Sequence, residues 1–456
     1  MLSYSRRPFR AALAGCFLFS VAAPAVAQET VDPRTPHILP LEARARVVDE
    51  WLKERLDTLI APLMRREGAD MWILIAGEYD EDPVVRTMLP STWLAARRTT
   101  ILVFHDRGGD LGVERLAVAR YPVADLFPSN WNPEEQPDQW ARLAEIVAER
   151  NPKTIVVNTS EDFPLADGLS VGMKRKLERA LGPLAGRLVE KEGLAIGWLE
   201  TRTPSEMAAY PQIVRIAHSI IAETFSEAAI TPGVTTTGDL RWRLRQRVAD
   251  LGLDTWFHPS VHVQRPEQKT FEIAKMNIDA GDVIMPGDFL HVDFGITYLR
   301  LNTDTQHHAY VLKPGETEAP KGLRDGLATA NKVQDVLLRA FKTGRSGNEV
   351  LAAARKQVEA QKIDATIYSH PLGFTGHGAG PWLGAWESQK PIKDGRGSYP
   401  VHANTAWSIE LNAAAKVPEW GGQTVRFMTE EDAYFDGETV RFLDGRQTEI
   451  TLIPRP

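Results

Sequence analysis

Apolar residues recur along this chain with two periods, and the alternation between them lays out its elements. From Leu41 to Arg66 the positions Ala43, Val47, Trp51, Leu52, Leu56, Leu59 and Leu63 return every three or four residues, the spacing of one helix face. Met71 to Ile75 and Thr99 to His105 are apolar runs that read as strands, followed by a helix over Gln139 to Arg150 and a strand over Thr154 to Val157. Helix alternating with strand points to an α/β domain that ends near Trp198. Thr201-Arg202-Thr203-Pro204-Ser205-Glu206 marks the boundary, with Pro204 placed near a helix start. A long amphipathic helix then runs from Glu206 to Ala229 through Ile213, Ile216, Ile220 and Phe225, and a second runs from Thr237 to Leu251. Strands follow at Asp282 to Ile284 and beyond, then helices at Leu323 to Phe341 and Gly347 to Gln361, then two further strands. Two helices followed by strands thus occur twice.

The stretch Pro286 to Pro314 carries the first candidate chemistry. Phe289 to Tyr298 and Thr303 to Leu312 alternate apolar and polar residues around a short polar turn at Arg300 and Asn302, the pattern of an antiparallel hairpin. Each arm holds one aspartate. Leu290, Val292 and Phe294 share one face, His291, Asp293 and Gly295 the other. Asp304 returns on the second arm, at a separation able to set the two carboxylates across from each other. Like charges in that position repel unless a cation lies between them, so the pair suggests a hard metal bound by oxygen. The same residues also suit an ordinary hairpin with loop-end or solvent-face acids. Two later runs add weight to the first reading: Trp407 to Asn412 encloses Glu410 among apolar residues, and Val425 to Phe435 encloses Glu430, Glu431 and Asp432.

With these four acids in place, the chain resembles the M24 metallopeptidases, the pita-bread enzymes that include methionine aminopeptidase, aminopeptidase P, prolidase and creatinase. The resemblance lies in GDFLHVDFG followed by NTDT, in HGAGPWLG at 377–384, in SIELN around Glu410 and in EEDAYF, and it covers roughly residues 200 to 456. It implies an α/β protein in which a duplicated helix-helix-strands catalytic domain, 199–456, follows a smaller creatinase/prolidase-type domain, 41–198. The latter often builds a homodimer and covers part of the active-site mouth. It also implies a two-metal centre held by Asp293, Asp304, Glu410 and Glu430, with Asp304 and Glu430 bridging and Glu431 as the alternative to Glu430. Glu410 would shuttle the proton and His377 would contact substrate.

Departures from the family accompany the match. Aligning WLG at 382–384 with aminopeptidase P puts Pro381 where the family has its histidine ligand, unless the loop shifts and His377 becomes that ligand. A second family histidine falls on Ser388, and a third has no counterpart near Lys269 to Glu272. His258, His262, His307, His308 and His370 are near enough in sequence to replace them, although a hydrogen-bonded or exposed structural role suits each one better. Oxygen-rich ligation favours Mn²⁺ over Zn²⁺, Co²⁺ or Fe²⁺. The expected activity is hydrolysis of short peptides at Xaa-Pro bonds. Non-peptide hydrolysis or lysis on the same scaffold is the alternative, and a silent binding protein is the third reading. Gly373, Gly376, Gly378, Gly380 and Gly384 could instead form a phosphate loop, but no Lys-Ser/Thr ending supports that.

Composition narrows the setting. The 456 residues exceed one usual core, so two domains are the default. Arg6, Arg7 and Arg10, an alanine-rich middle and Ala25-Val26-Ala27 form a secretory leader over 1–27, with a flexible, proline-bearing lead-in over 28–40. Ser5 to Phe9 also resembles a twin-arginine signal, so the leader is of either the Sec or the twin-arginine type. Leu13-Ala14-Gly15-Cys16 imitates a lipoprotein box, but the more apolar run follows Cys16 and favours cleavage after Ala27 over a lipid anchor. Export to the periplasm or beyond is the expectation. The single cysteine, Cys16, leaves with the leader, which removes disulfide and thiolate chemistry. The leader also takes three arginines, making a formal charge of −7 more negative and arguing against nucleic acid or an anionic membrane surface as partner. No later stretch approaches the roughly 18 apolar residues of a membrane span. Trp72, Trp93, Trp131 and Trp140 suit core packing better than a substrate wall.

Overall fold

The structure is a computed structural model that describes residues 36–267 and 281–455. The expected leader, most of the lead-in and the 269–272 stretch lie outside the described residues. Everything that follows belongs to the compact unit Ile38–Pro456.

Helices α1 (Leu41–Thr58) and α2 (Ile60–Glu67) open the unit, and a left-handed Gly68 ends α2. Strands β1 (Met71–Gly77), β2 (Thr99–Asp106), β3 (Val113–Val118), β4 (Ile155–Val157) and β5 (Leu188–Glu190) form one sheet in the order β3-β2-β1-β4-β5. Its first pairs are antiparallel and its last two parallel. Helices α3 (Pro83–Met88), α4 (Gln139–Arg150) and α5 (Val171–Leu181) lie in the connections between its strands, and α6 (Glu192–Glu200) follows β5. Central strand β1 is apolar throughout because both of its faces are covered, by one cluster around Trp72, Phe104 and Trp198 and another around Ile73, Val103 and Leu143. Trp72 is a core residue, stacked on Phe104 and donating its indole N–H to Asn158 Oδ1 at 2.9 Å.

Beyond residue 200 come α7 (Pro204–Thr224) and α8 (Thr237–Asp250), each opened by a reciprocal capping box, Thr203 with Glu206 and Thr236 with Asp239. Helix α7 stops at Thr224 instead of the expected Ala229, because Phe225 leaves the helical region and Ser226 begins a turn. Strands β6 (Ser260–Gln264), β7 (Phe289–Phe294), the short pair β8 (Thr297–Tyr298) and β9 (Leu301–Asn302), and β10 (Thr305–Val311) follow. The strand expected at Asp282 to Ile284 is a single bridge from Val283 to Thr236. Then come α9 (Lys321–Ala340), α10 (Gly347–Ala360), β11 (Asp364–Ile367), β12 (His370–Leu372), the short α11 (Gly395–Ser398), β13 (Thr405–Val417), β14 (Gln423–Phe435), β15 (Val440–Phe442) and β16 (Thr451–Ile453). The path β11-β13-β14-β10-β7-β6 runs through a nine-stranded sheet, with β12, β15 and β16 attached at its sides. Strands β13 and β14 pair over their whole length, from Thr405 opposite Phe435 to Val417 opposite Gln423. By contrast, β14 and β10 meet through one register pair, Glu430 opposite Gln306. The apolar residues of α7 and α8 pack with Leu290, Val292 and Phe294, and those of α9 and α10 with Ile409, Leu411 and Phe427. No helix among the described residues is long and apolar enough to cross a membrane.

The two sheets join through a buried charge cluster. Arg55 of α1 donates to Glu206 Oε2 at 3.0 Å, to Thr201 O at 2.6 Å and to Trp198 O. Arg202 lies 3.5 Å from Glu206, and both guanidinium groups stack on Phe374, at 4.8 and 4.7 Å.

A second buried acid gives stability a pH dependence. Asp82 caps α3, accepting from the N–H groups of Val84 and Val85 at 2.7 and 3.1 Å and from Asn158 Nδ2 at 2.9 Å, yet burial outweighs these bonds and pushes its carboxyl up to about 6. A proton held more tightly in the folded chain stabilises it fully below the unfolded carboxylate range, near pH 4, and that contribution is lost as pH rises through about 6. Asn at this position keeps a good cap without ionising. Asp82→Asn is therefore expected to gain roughly 2–3 kcal/mol relative to wild type between about pH 4 and pH 7 in denaturant unfolding. Parallel stability profiles for the two proteins would contradict this.

Candidate metal centre

The strand registers assemble the acids in rows. Asp293 on β7 lies opposite Gln306 on β10, Gln306 opposite Glu430 on β14, and Glu430 opposite Glu410 on β13. In the next row β12 sets His370 opposite Ser408, and Ser408 lies opposite Asp432. Asp304 precedes β10 by one residue, so it stands diagonal to Asp293 and not directly across as its spacing suggested. The reason is the turn: the chain leaves β7 at Gly295, forms the small β8–β9 ladder with Leu299 and Arg300 at positive φ, and re-enters the sheet later than a tight hairpin would.

The structure thus brings together Asp293, Asp304, Glu410 and Glu430, and all but Asp293 are almost wholly buried. The alignment left Pro381 at the family's ligand position, with His377 as the alternative, and neither is the residue that meets three of the acids. Pro381 packs beside Gly347 at the start of α10, and the imidazole that meets the acids is His370. Its Nε2 lies 3.7 Å from Asp304 Oδ2, 3.8 Å from Glu410 Oε2 and 3.7 Å from Glu430 Oε1, while its Nδ1 is 3.0 Å from Pro371 O. Side-chain atoms of Asp304, His370 and Glu430 all fall within 4.8 Å of one another. Glu431, the alternative to Glu430, turns to the opposite face, where it bonds His218 and His307. His258 sits near Trp242 and Arg245, and His262 and His308 flank His291, so none of these three meets Asp304 as His370 does.

These residues fit a bound cation. Burial, and then the negative charge of Glu430, pushes Asp293, Asp304 and Glu410 well above the usual carboxylate range. Asp293 Oδ1 and His370 Nε2 are buried without a hydrogen-bond partner. Oxygen donors with one imidazole suit Mn²⁺, Fe²⁺, Co²⁺ or Zn²⁺. A ring of supporting bonds fixes the donors: Asp432 accepts from the Asp304 N–H at 3.1 Å, the Ser408 hydroxyl donates to Glu430 Oε1, and Ser369 Oγ accepts from the Glu410 N–H at 3.0 Å.

Gln306 escaped the sequence reading. Its Nε2 donates to Glu410 Oε1 and Glu430 Oε2, both at 2.7 Å, and its Oε1 is 2.8 Å from His291 Nε2. Only the register with Asp293 places it among the acids.

Aromatic rings cluster around His377, which is exposed. His377 stands over His370 with centroids 4.6 Å apart, within 3.4 Å of the Tyr368 hydroxyl and 5.5 Å from the Trp382 ring. Trp256 approaches His377 at 5.2 Å, and Trp386 approaches Tyr368 at 5.5 Å. Two glycines make room for Trp256. A Cβ on Gly376 would fall 2.1 Å from its ring, and one on Gly295 would meet Thr303 O at 2.2 Å and the indole nitrogen at 2.8 Å. Ser388 bonds within its own turn to Ala385 and takes no part in the acid row.

A curled sheet that gathers four carboxylates and a histidine on the face turned away from its two sets of helices has the pita-bread architecture. Residues 212–435 match the model of metallopeptidase family M24, and this part of the chain belongs to that family. Solved structures share the fold across nearly their whole length. X-Pro aminopeptidase from Thermotoga maritima aligns with a TM-score of 0.59 at 16% identity, over 86% of this chain and 99% of its own. Xaa-Pro dipeptidase from Bacillus anthracis gives 0.56 at 16%, over 91% and 100%. Dipeptidase PepE from Mycobacterium ulcerans gives 0.57 at 17%, over 92% and 100%. No curated protein matches the sequence significantly.

The two candidate positions for the missing ligand separate by substitution. His370→Ala is expected to weaken Mn²⁺ binding by at least about 10–100-fold, the range that even outer-shell partners command, whereas Pro381→Ala leaves it unchanged in equilibrium dialysis. Equal binding by both variants would remove His370 from the ligand set.

Proposed function

We propose that this member of a peptidase family is an exported, metal-dependent hydrolase of short peptides that cleaves Xaa-Pro bonds. The observation that carries the proposal is the buried row of acids on adjacent strands, in which Asp293 Oδ1 and His370 Nε2 have no hydrogen-bond partner. Asp293, Asp304, His370, Glu410 and Glu430 would hold two divalent ions, with Mn²⁺ the natural choice. Such ions lower the pKa of water and polarise a carbonyl.

The chain's own groups supply the rest. Gln306 anchors Glu410 Oε1 and leaves Oε2 facing His370. That oxygen takes the proton released by the attacking water and returns it to the leaving amine. Burial and the neighbouring carboxylates keep the Tyr368 hydroxyl protonated, so it donates to His377 or to a substrate carbonyl. His377 orients the peptide at the opening. The rings of Trp256, Tyr368, Trp382 and Trp386 form apolar walls, which suit the flat, donor-free ring of proline. The solved proteins named for Xaa-Pro substrates share the fold and support the same specificity.

One observation favours a second reading, hydrolysis or lysis of a non-peptide substrate: the uncharged Gln306 amide among the carboxylates alters the balance of charge at the centre. A panel of Xaa-Pro dipeptides and tripeptides separates the two. Cleavage before proline is expected to vanish on chelation, to return with Mn²⁺, and to fall about a thousandfold or more in kcat/KM in Asp304→Ala. Wild-type activity in Asp304→Ala would overturn the assignment. Folded, metal-loaded protein that cleaves no peptide would transfer it to non-peptide chemistry.

A further inference from the structure

On the side of β10 and β14 that faces away from the acid row, a second set of metal-type donors converges. His218 of α7, His307 of β10 and Glu431 of β14 bring two imidazole nitrogens and a carboxylate to one point, all within 4.8 Å of one another. His307 Nε2 lies 2.9 Å from Glu431 Oε1 and His218 Nε2 lies 3.1 Å from Glu431 Oε2. The proposed reaction uses none of the three.

An outer set of bonds fixes the donors. His218 Nδ1 is 3.1 Å from Asp444 Oδ2, and Asp444 Oδ1 accepts from Arg215 Nε and Nη2 at 2.9 and 2.6 Å. The Gln447 N–H donates to Glu431 Oε1 at 2.7 Å. An imidazole that gives one N–H to a carboxylate and turns its other nitrogen toward a shared point is the arrangement seen around metal-bound histidine.

Charge decides what belongs at that point. With its Nδ1–H given to Asp444, a neutral His218 would aim an Nε2 lone pair at the Glu431 carboxylate, which is repulsive unless a cation separates them. One proton more on the His218 ring would also serve, with a neutral His307 donating its Nε2–H to Glu431, but it would leave an imidazolium beside Arg215 on the same carboxylate, Asp444. One divalent ion instead joins both imidazoles, each neutral, to Glu431. Two imidazoles and one carboxylate form the three-ligand set of many zinc sites. Side-chain exposures of 17% for His218 and 14% for His307 leave the point reachable from solvent.

We propose that His218, His307 and Glu431 bind a zinc ion, separate from the ions of the acid row, that clamps α7, β10 and β14 together. The position gives the clamp a purpose. Strands β10 and β14 share one register pair, Gln306 opposite Glu430, and both strands carry the proposed ligands or their neighbours on the other face. An ion bound one residue along from that pair would tie from behind two strands that share a single register pair.

Zinc stoichiometry measures this directly. The full chain is stripped with chelator, dialysed against Zn²⁺ and analysed for metal, beside the double variant His218→Gln/His307→Gln and the single variant His307→Arg. His307→Arg keeps a cation beside Glu431 and so preserves the ion pair even if the double variant fails to fold. Wild type is expected to hold one zinc equivalent more than either variant, while all folded proteins bind Mn²⁺ at the acid row with the same affinity. The four-coordinate Co²⁺ absorption of the substituted wild type is expected to disappear in His307→Arg. Equal zinc content in wild type and His307→Arg would overturn the site and leave an ion-paired clip of protonated histidines.

Discussion

Four carboxylates buried within reach of one another form the constraint on which this protein's architecture depends. An isolated buried charge costs several kcal/mol even after relaxation, and each neighbour of like sign adds to it. The strands cannot relieve this by turning the acids outward. Glu410 and Glu430 are fixed opposite each other in the middle of a ladder of thirteen paired residues, with Ile409, Leu411 and Phe427 locked against α9 and α10 on the other side. Sliding that ladder by one residue would carry the whole apolar set into the site. The acids are therefore held by packing that has nothing to do with charge, and a cation is the simplest means of making their position tenable. Gln306 contributes what a neutral group can, one amide shared between two of the carboxylates.

The first 200 residues bear on the same site through a short chain of contacts. Arg55 belongs to α1, Glu206 to the capping box of α7, and Arg202 to the segment between them. Both arginines stack on Phe374, which begins the glycine-bearing loop that delivers His377 and Trp382 to the opening. Helix α1, far from the acids in sequence, thus anchors the loop that carries His377 and Trp382. Breaking a buried pair such as Arg55 with Glu206 leaves a charge uncompensated, at a cost of about 3–5 kcal/mol, and here the loss would also release the loop.

Much of this was legible in the sequence because acids within apolar, strand-like runs are hard to explain otherwise. Asp293, Glu410 and Glu430 stood out for that reason, and the long helices followed from their periodicity. What escaped depended on register and on distant pairing. Gln306 is an unremarkable polar residue in an alternating strand until β7 is set beside it, and the β8–β9 excursion shifted that register away from a simple hairpin. His370 lies in a short run no different from those around other histidines. Its role arises because β12 pairs with β13, whose residues come more than thirty positions later. The motif spacing around Trp382 pointed to Pro381 because a match of three residues cannot report where the preceding loop bends. Glu430 and Glu431, adjacent in sequence, face opposite sides of the sheet, and only the pairing with Gln306 and Glu410 tells which one faces the site.

Asp293, Asp304, His370, Glu410 and Glu430 are proposed to surround bound divalent metal. Anomalous diffraction from crystals of the Mn²⁺-loaded protein tests it most directly, since the signal locates the ion without reference to activity. Strong anomalous density between these five side chains is the expected result. Crystals grown at saturating Mn²⁺ with no density there, and with Gln306 still bridging Glu410 and Glu430, would contradict it.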